Sequence, residues 1–325
     1  MPLASNDSNG VPKLDLSNPQ AQVLFPCGYY TYAFGNTPAI ELTEHFGTSK
    51  KDGNLNFLLL GSGDVRNLLF TVSELSLRSQ DAIPENLSFH LNDHDASVVA
   101  RNVIILEIVL SIDPDCERDV DFLWNVWYNL IIPFEHFKRL QAIMDSLMSR
   151  AYEKSYLQFG SRDVFTQSLN IWTDWMDMNV NLQDVLLQRQ KLILFGLNLA
   201  DPDDMDEEED YANFISAVTS LTNTVVKQLL SPFDEQKLGR KCFQKSGPIY
   251  QEIYSYFLSG STWQHNTDPI RVNPTLIRPF ERKWKVHYGS CPFSGYIPID
   301  GSVIHCLLVL KIACKHNECS KTQKE

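Results

Sequence analysis

The chain has 325 residues, 43% of them hydrophobic and 21% charged, with a formal net charge of −12. That is the make-up of a soluble globular protein with one large core or two modest ones. The acidic balance disfavours nucleic acid and anionic membranes as partners, and no apolar run reaches the about 20 residues a membrane span needs.

Seven scattered cysteines, and a start without a basic and then apolar leader, suit a reducing, cytoplasmic setting. Residues 1–20, with Gly10, Pro12 and Pro19, read as a flexible tail, and a core is expected over 21–200. An aromatic stretch, 27–34, opens that core. Its tyrosines are expected to pack inside. Thr37 as N-cap, Pro38 at the first helical position and Glu41 beside the positive end of the dipole predict a short helix to about His45. Asn36 and this segment would form a wall or lid over a pocket.

Residues 55–71 change period. Phe57 to Leu60 are apolar without alternation, as in a buried parallel strand, whereas Val65, Leu68, Leu69, Val72 and Leu75 share one helical face. Between them lies a Gly-Ser-Gly-Asp turn at 61–64. Gly61 and Gly63 permit a sharp turn and a close ligand, and the helix start offers unpaired N–H groups. Leu87, Phe89 and Leu91 then alternate with Ser88 and His90 and end in Asn92, Asp93, His94 and Asp95, before a helix from Ala96 through Val109 that Asp95 is placed to cap. Strand, glycine turn, helix, strand and acid make a βαβ nucleotide-binding pattern. In it Asp93 is placed to take ribose hydroxyls, at a longer spacing from the turn than is usual. A cofactor loop and a strand-turn-helix packed for structure alone both satisfy these residues.

Several chemistries are excluded. No Gly-Lys-Ser/Thr follows the turn, the dinucleotide fingerprint lacks its third glycine, and Leu60 and Asp64 stand where a nucleophile elbow needs glycines. What survives is a turn like that of class I methyltransferases. His90 and His94 flank the acidic turn as a candidate base or as structural hydrogen-bond partners, and no catalytic residue is assigned.

Beyond this unit, the aromatic and β-branched run 122–132, ending before Pro133, predicts a further strand. Helical spacing follows over 134–152 and 182–199, and Trp172, Trp175 and Met176 between them read as core. Eight acids in residues 201–210 predict a solvated acidic loop. Helices are expected over 211–230 and 248–258. Trp284, Val286 and Tyr288 alternate as a late strand, 283–289, able to complete the first sheet. In the tail, His305, Cys306, Cys314, His316 and Cys319 lack the paired spacing of a zinc site, so no metal is expected. Together the elements predict an α/β fold: a Rossmann-like sheet of class I methyltransferase type, with helical insertions and an α-rich C-terminal half over 211–325.

Three blocks, 34–40, 58–71 and 91–102, resemble the domain of unknown function numbered 4470, which is shared by dynein axonemal assembly factor 3 proteins and by fungal proteins bearing MYND zinc fingers. Residues 273–276 and 284–290 are similar to the C-terminal part of that family. The resemblance implies a methyltransferase-like core and, for one branch, a cytoplasmic role in assembling dyneins with protein partners such as dynein subunits or chaperones. Leu59 stands where methyltransferases usually carry an acid, no Asn/Asp-Pro-Pro-aromatic motif is present, and paired Cys-x-x-Cys motifs of a MYND finger are missing. A non-catalytic assembly scaffold is therefore expected first. An S-adenosylmethionine-dependent methyltransferase is the alternative, with Asn36, Gly61, Gly63, Asp64, Asn67, Asp93 and Asp95 as the candidate cofactor-binding set.

Overall fold

A computed structural model describes residues 30–34, 39–43, 54–76, 86–150, 158–197, 199, 207–230, 244–262 and 269–293. The chain divides into Met1–Tyr30 and Thr31–Glu325, and every described strand and helix belongs to the second unit. The expected tail over 1–20, Asn36 and the cysteine-containing tail beyond 293 lie outside the described residues, as do residues 201–206 of the acidic run.

β1 (Asn54–Leu60) and β2 (Asn86–Asn92) pair in parallel from Asn54 opposite Asn86 to Leu60 opposite Asn92, with α1 (Arg66–Ser76) as the crossover helix. α2 (Ala96–Ser111) follows β2 and is capped by Asp95, whose Oδ1 accepts from the Ser97 N–H at 2.9 Å, as the sequence predicts. Phe57 and Phe89, opposite each other in the register, stack with ring centroids 5.1 Å apart. Burial alternates along β1, contrary to the expectation from its unbroken apolar run. Phe57 is buried, whereas Leu58 and Leu60 are 64% and 72% exposed, beside Ser88, His90 and Asn92 of β2. The buried face of α1 is also broader than predicted: Leu69, Phe70, Thr71, Ser73 and Leu75 are buried, while Val72 is exposed.

The main departure lies at 117–133. α3 (Glu117–Tyr128) replaces most of the strand expected over 122–132, and only β3 (Ile131–Pro133) is extended. A run buried nearly all round has no period by which to separate helix from strand, and tertiary burial overrides the β preference of its aromatics. Acids Glu117 and Asp119 occupy the first turn, where the helix dipole favours them. β3 pairs antiparallel with β4 (Ile270–Val272) and not with β1 or β2. The C-terminal end of α3 is closed by residues distant in sequence. Asn273 donates through Nδ2 to the Val126 and Asn129 carbonyls at 2.9 Å each, and Arg101 donates to the carbonyls of Ala33, Val126 and Trp127.

α4 (Phe134–Arg150), α5 (Arg162–Met176) and α6 (Leu182–Gly196) come next, α5 and α6 capped by Ser161 and Asn181. Trp172 and Trp175 are fully buried, their Nε1 groups donating to Ala100 O at 3.1 Å and Ile277 O at 3.0 Å, so they belong to the core. α7 (Glu207–Leu230) begins four residues before the predicted start. Residues 207–210 of the acidic run thus belong to the helix and not to a loop. α8 (Pro248–Ser259) ends at Gly260 in the left-handed region, and Arg189 donates to the carbonyls of Tyr256 and Phe257 near that end.

A single 3-10 turn, Pro274–Leu276, leads into β5 (Ile277–Arg278), which pairs antiparallel with β6 (Lys283–Trp284). The late strand expected over 283–289 is therefore shorter. Beyond β6, Val286 makes only a single bridge to Thr31, and neither segment joins β1 or β2. The described residues form three two-stranded sheets and eight α-helices. One buried cluster runs from Ala33 to Phe293, and no described helix is long and apolar enough to cross a membrane.

Candidate functional site

The glycine turn lies at the C-terminal ends of β1 and β2, ahead of α1, where the sequence places it. Gly61 and Gly63 take φ of +62° and +59°, the left-handed region that side chains other than glycine adopt at a cost. Their surroundings differ. A Cβ on Gly61 would meet nothing within 4 Å, whereas one on Gly63 would come 3.3 Å from the Tyr32 carbonyl oxygen. Gly63 is thus a point of close approach for the chain's own backbone.

The acids are committed to the loop itself. Asp93 accepts from the Gly63 N–H through Oδ2 at 3.0 Å and from the Asp95 N–H through Oδ1 at 3.0 Å, and the Ser62 N–H donates to Asn92 O at 3.0 Å. The Gly63 and Ser62 bonds tie the turn after β1 to the turn after β2, and the Asp95 bond closes the second turn on itself. Asp95 spends Oδ1 on the α2 cap, taking both the N–H and hydroxyl of Ser97, and its Oδ2 lies 3.9 Å from Arg278 Nη1. Asp64, only 3% exposed, accepts from Arg66 through both its backbone N–H at 3.2 Å and its Nε at 2.8 Å. Asn67, expected beside a cofactor's amino-acid end, accepts the Ile40 N–H at 3.0 Å instead.

Thr71, one turn along α1, accepts the Leu42 N–H at 3.0 Å and so pins the same segment a second time. Residues 39–43 contain a turn at Leu42 and Thr43 and not the helix predicted from Thr37, because the donors of Ile40 and Leu42 are turned towards α1. His90 and His94 are both exposed. Among the described residues, nothing gathers them with an acid and a second polar group into a catalytic arrangement.

Beneath the turn, sequence reasoning missed Arg101 and Asn102. Arg101 is wholly buried; burial lowers its pKa to about 10, and the charge of Asp64 opposes that shift. Burial also pushes the Tyr128 hydroxyl upward, again with Asp64 adding to the rise. Asn102 donates through Nδ2 to Gly63 O at 3.3 Å. An arginine and an asparagine inside the otherwise apolar run from Val98 to Leu106 were the available signal, since a charge buried in a core has to find partners.

Tyr32, expected in the core, is 42% exposed and stacks on His287 with centroids 4.9 Å apart. Backbone bonds from Thr31 N to Lys285 O and from His287 N to Thr31 O hold it over Gly63. Burial lowers the His287 pKa below its ordinary value, and Nδ1 accepts the Gly289 N–H at 3.1 Å.

S-adenosylmethionine fits this arrangement poorly. The acid meant for its ribose already receives two main-chain donors, and the second glycine is covered by Tyr32. Among the described residues no group of His, Cys, Asp and Glu gathers to hold a metal ion. No curated protein and no solved structure matches the chain. Residues 33–132, which carry β1, the glycine turn, β2, α2 and α3 and leave out 273–276 and 284–290, match the family model described as "Domain of unknown function (DUF4470)".

Proposed function

We propose that the chain is a non-catalytic, cytoplasmic scaffold that works in protein-complex assembly, with a methyltransferase-like βαβ unit serving as a structural frame. The observation that carries this reading is the closure of the turn on itself: both Asp93 oxygens hold loop N–H groups, and the Tyr32 backbone fills the approach to Gly63. The exposed pair Leu58 and Leu60 on one face of β1 adds support, because adjacent large apolar side chains in water mark contact surfaces. Dynein subunits or their chaperones are the partner class that the resemblance to dynein assembly factors suggests.

A Leu58→Lys, Leu60→Lys double variant tests the scaffold reading. It should fold with an unchanged urea midpoint and lose dynein heavy chains and chaperones in affinity purification from ciliated cells. Failure of the wild type to recover either would remove the dynein link, and equal recovery by the variant would remove this face. A second reading, an S-adenosylmethionine-dependent methyltransferase, is favoured by Gly61, exposed and with open space where a Cβ would stand. Calorimetric titration separates the two: binding heat at millimolar S-adenosylmethionine would overturn the scaffold reading, and its absence would remove the enzyme.

A further inference from the structure

The β5–β6 hairpin carries a bulky side chain where the backbone resists one. Phe280 and Arg282, in the tip between the two strands, take φ of +64° and +55°, the left-handed region that residues with a Cβ adopt at a cost. The Phe280 ring recovers little of that cost by packing, because the residue is 66% exposed. Strain and an exposed aromatic ring at one position, with little burial in return, mark a residue kept for contact with something else. The tip is also held in place. Asp174, near the end of α5, accepts the Phe280 N–H through Oδ2 at 3.0 Å, and its Oδ1 lies 3.9 Å from Arg282 Nη2. Behind the tip, the buried Trp284 donates its backbone N–H to Gln188 Oε1 at 3.0 Å.

Charge sets what the tip can meet. Residues 278–285 contain four basic side chains and one acid, in a chain of net charge −12. Glu281 engages Arg278 at 2.8 Å and Lys285 at 2.7 Å, while Arg282 and Lys283 are exposed. We propose that this tip docks an acidic segment of a partner protein, whose carboxylates meet Arg282 and Lys283 while a large apolar side chain packs on the Phe280 ring. Charge complementarity selects that occupant, since the hairpin is a positive island on an acidic chain. An anionic membrane presents its charge as a plane and would face the chain's excess of acids together with the hairpin, whereas a polypeptide segment meets the tip alone. The ring is already fixed through Asp174, which lowers the ordering cost of binding. The tip lies on a different sheet from Leu58 and Leu60 and stands whether or not that face binds.

The probe is a fluorescein-labelled polyglutamate peptide with a pair of central leucines, titrated into the full chain and followed by fluorescence polarisation, beside the same peptide with serines in place of the leucines. The leucine peptide should bind about tenfold more tightly or better, and its affinity should fall as salt is raised to about 0.3 M. Phe280→Gly relieves the backbone strain, so it should keep or raise the urea midpoint and yet abolish the preference for the leucine peptide. Lys283→Glu should weaken both peptides. Absence of binding to the leucine peptide at millimolar concentration, or wild-type affinity in the Phe280→Gly variant, would overturn the docking tip. Equal affinity for the serine peptide would overturn the apolar contact on Phe280. Co-sedimentation of the chain with equimolar phosphatidylserine–phosphatidylcholine vesicles, lost in the Phe280→Gly variant, would overturn the protein segment as occupant in favour of a membrane.

Discussion

Asn273 offers the sharpest test of how the α3 end is held. Its side chain is completely buried and makes five bonds: Nδ2 to Val126 O and to Asn129 O, both at 2.9 Å, and to Asn125 O at 3.4 Å, and Oδ1 from the Thr275 N–H at 3.1 Å and from the Thr275 hydroxyl at 2.9 Å. Asn273→Ala removes them together. Val126 O keeps the Arg101 donor at 3.4 Å, but the Asn129 carbonyl and the Thr275 N–H lose their Asn273 partner in the interior. At about 1–3 kcal/mol for each buried group left unsatisfied, the expected loss is about 2–6 kcal/mol. That is a large part of the roughly 5–15 kcal/mol by which domains are stable. Urea unfolding reads it as a lower midpoint at unchanged slope. Asn273→Asp serves as the control for volume: it keeps the acceptor for Thr275 and turns a carboxylate oxygen towards the α3 carbonyls, so it should destabilise at least as much. An alanine variant within about 1 kcal/mol of wild type, or an aspartate variant as stable as wild type, would refute the hydrogen-bond account.

The same geometry sets three further outcomes. Gly61→Ala should cost only the left-handed backbone penalty of about 1–2 kcal/mol, and Gly63→Ala distinctly more, because its Cβ presses on Tyr32 O; thermal unfolding of the two variants gives the order. Arg189→Met leaves the Phe257 carbonyl without its Arg189 donor, while Tyr256 O keeps the Gly260 N–H at 2.7 Å, and should cost roughly 1–3 kcal/mol, with faster amide exchange over the last turn of α8. His287 titrates below its unfolded value near 6.5, so its stabilising contribution is complete above about pH 6.5 and is lost as pH falls through the lower folded value. The stability of His287→Gln should therefore fall less steeply than that of wild type between about pH 7 and 5 in parallel urea titrations.

Local signals proved readable where the chain acts on its neighbours in sequence. The change of period at residues 57–69 located β1, the turn and α1, and Asp95, the residue before Ala96, marked the start of α2. Helices α4, α6 and α8 follow their apolar spacing. Long-range effects were not readable. Nothing near Phe122 or Trp124 tells a buried helix from a buried strand; the α3 end depends on Asn273, more than 140 residues later. The exposure of Leu58 and Leu60 depends equally on what packs on the sheet, and a leucine run carries no mark of a face left open. At the site, the residue types at Gly63, Asp93 and Asn67 suit a ligand as well as they suit the chain's own N–H groups. Only the placement of Tyr32 and Ile40 separates the two.

The central claim is that the turn's polar groups serve the fold, and the amide of Gly63 reports on it directly. In ¹⁵N-labelled protein, that amide should be protected from exchange by Asp93 Oδ2, and its shift should stay fixed as S-adenosylmethionine is raised to millimolar concentration. A saturable shift of the Gly61 and Gly63 amides with added cofactor would contradict the account.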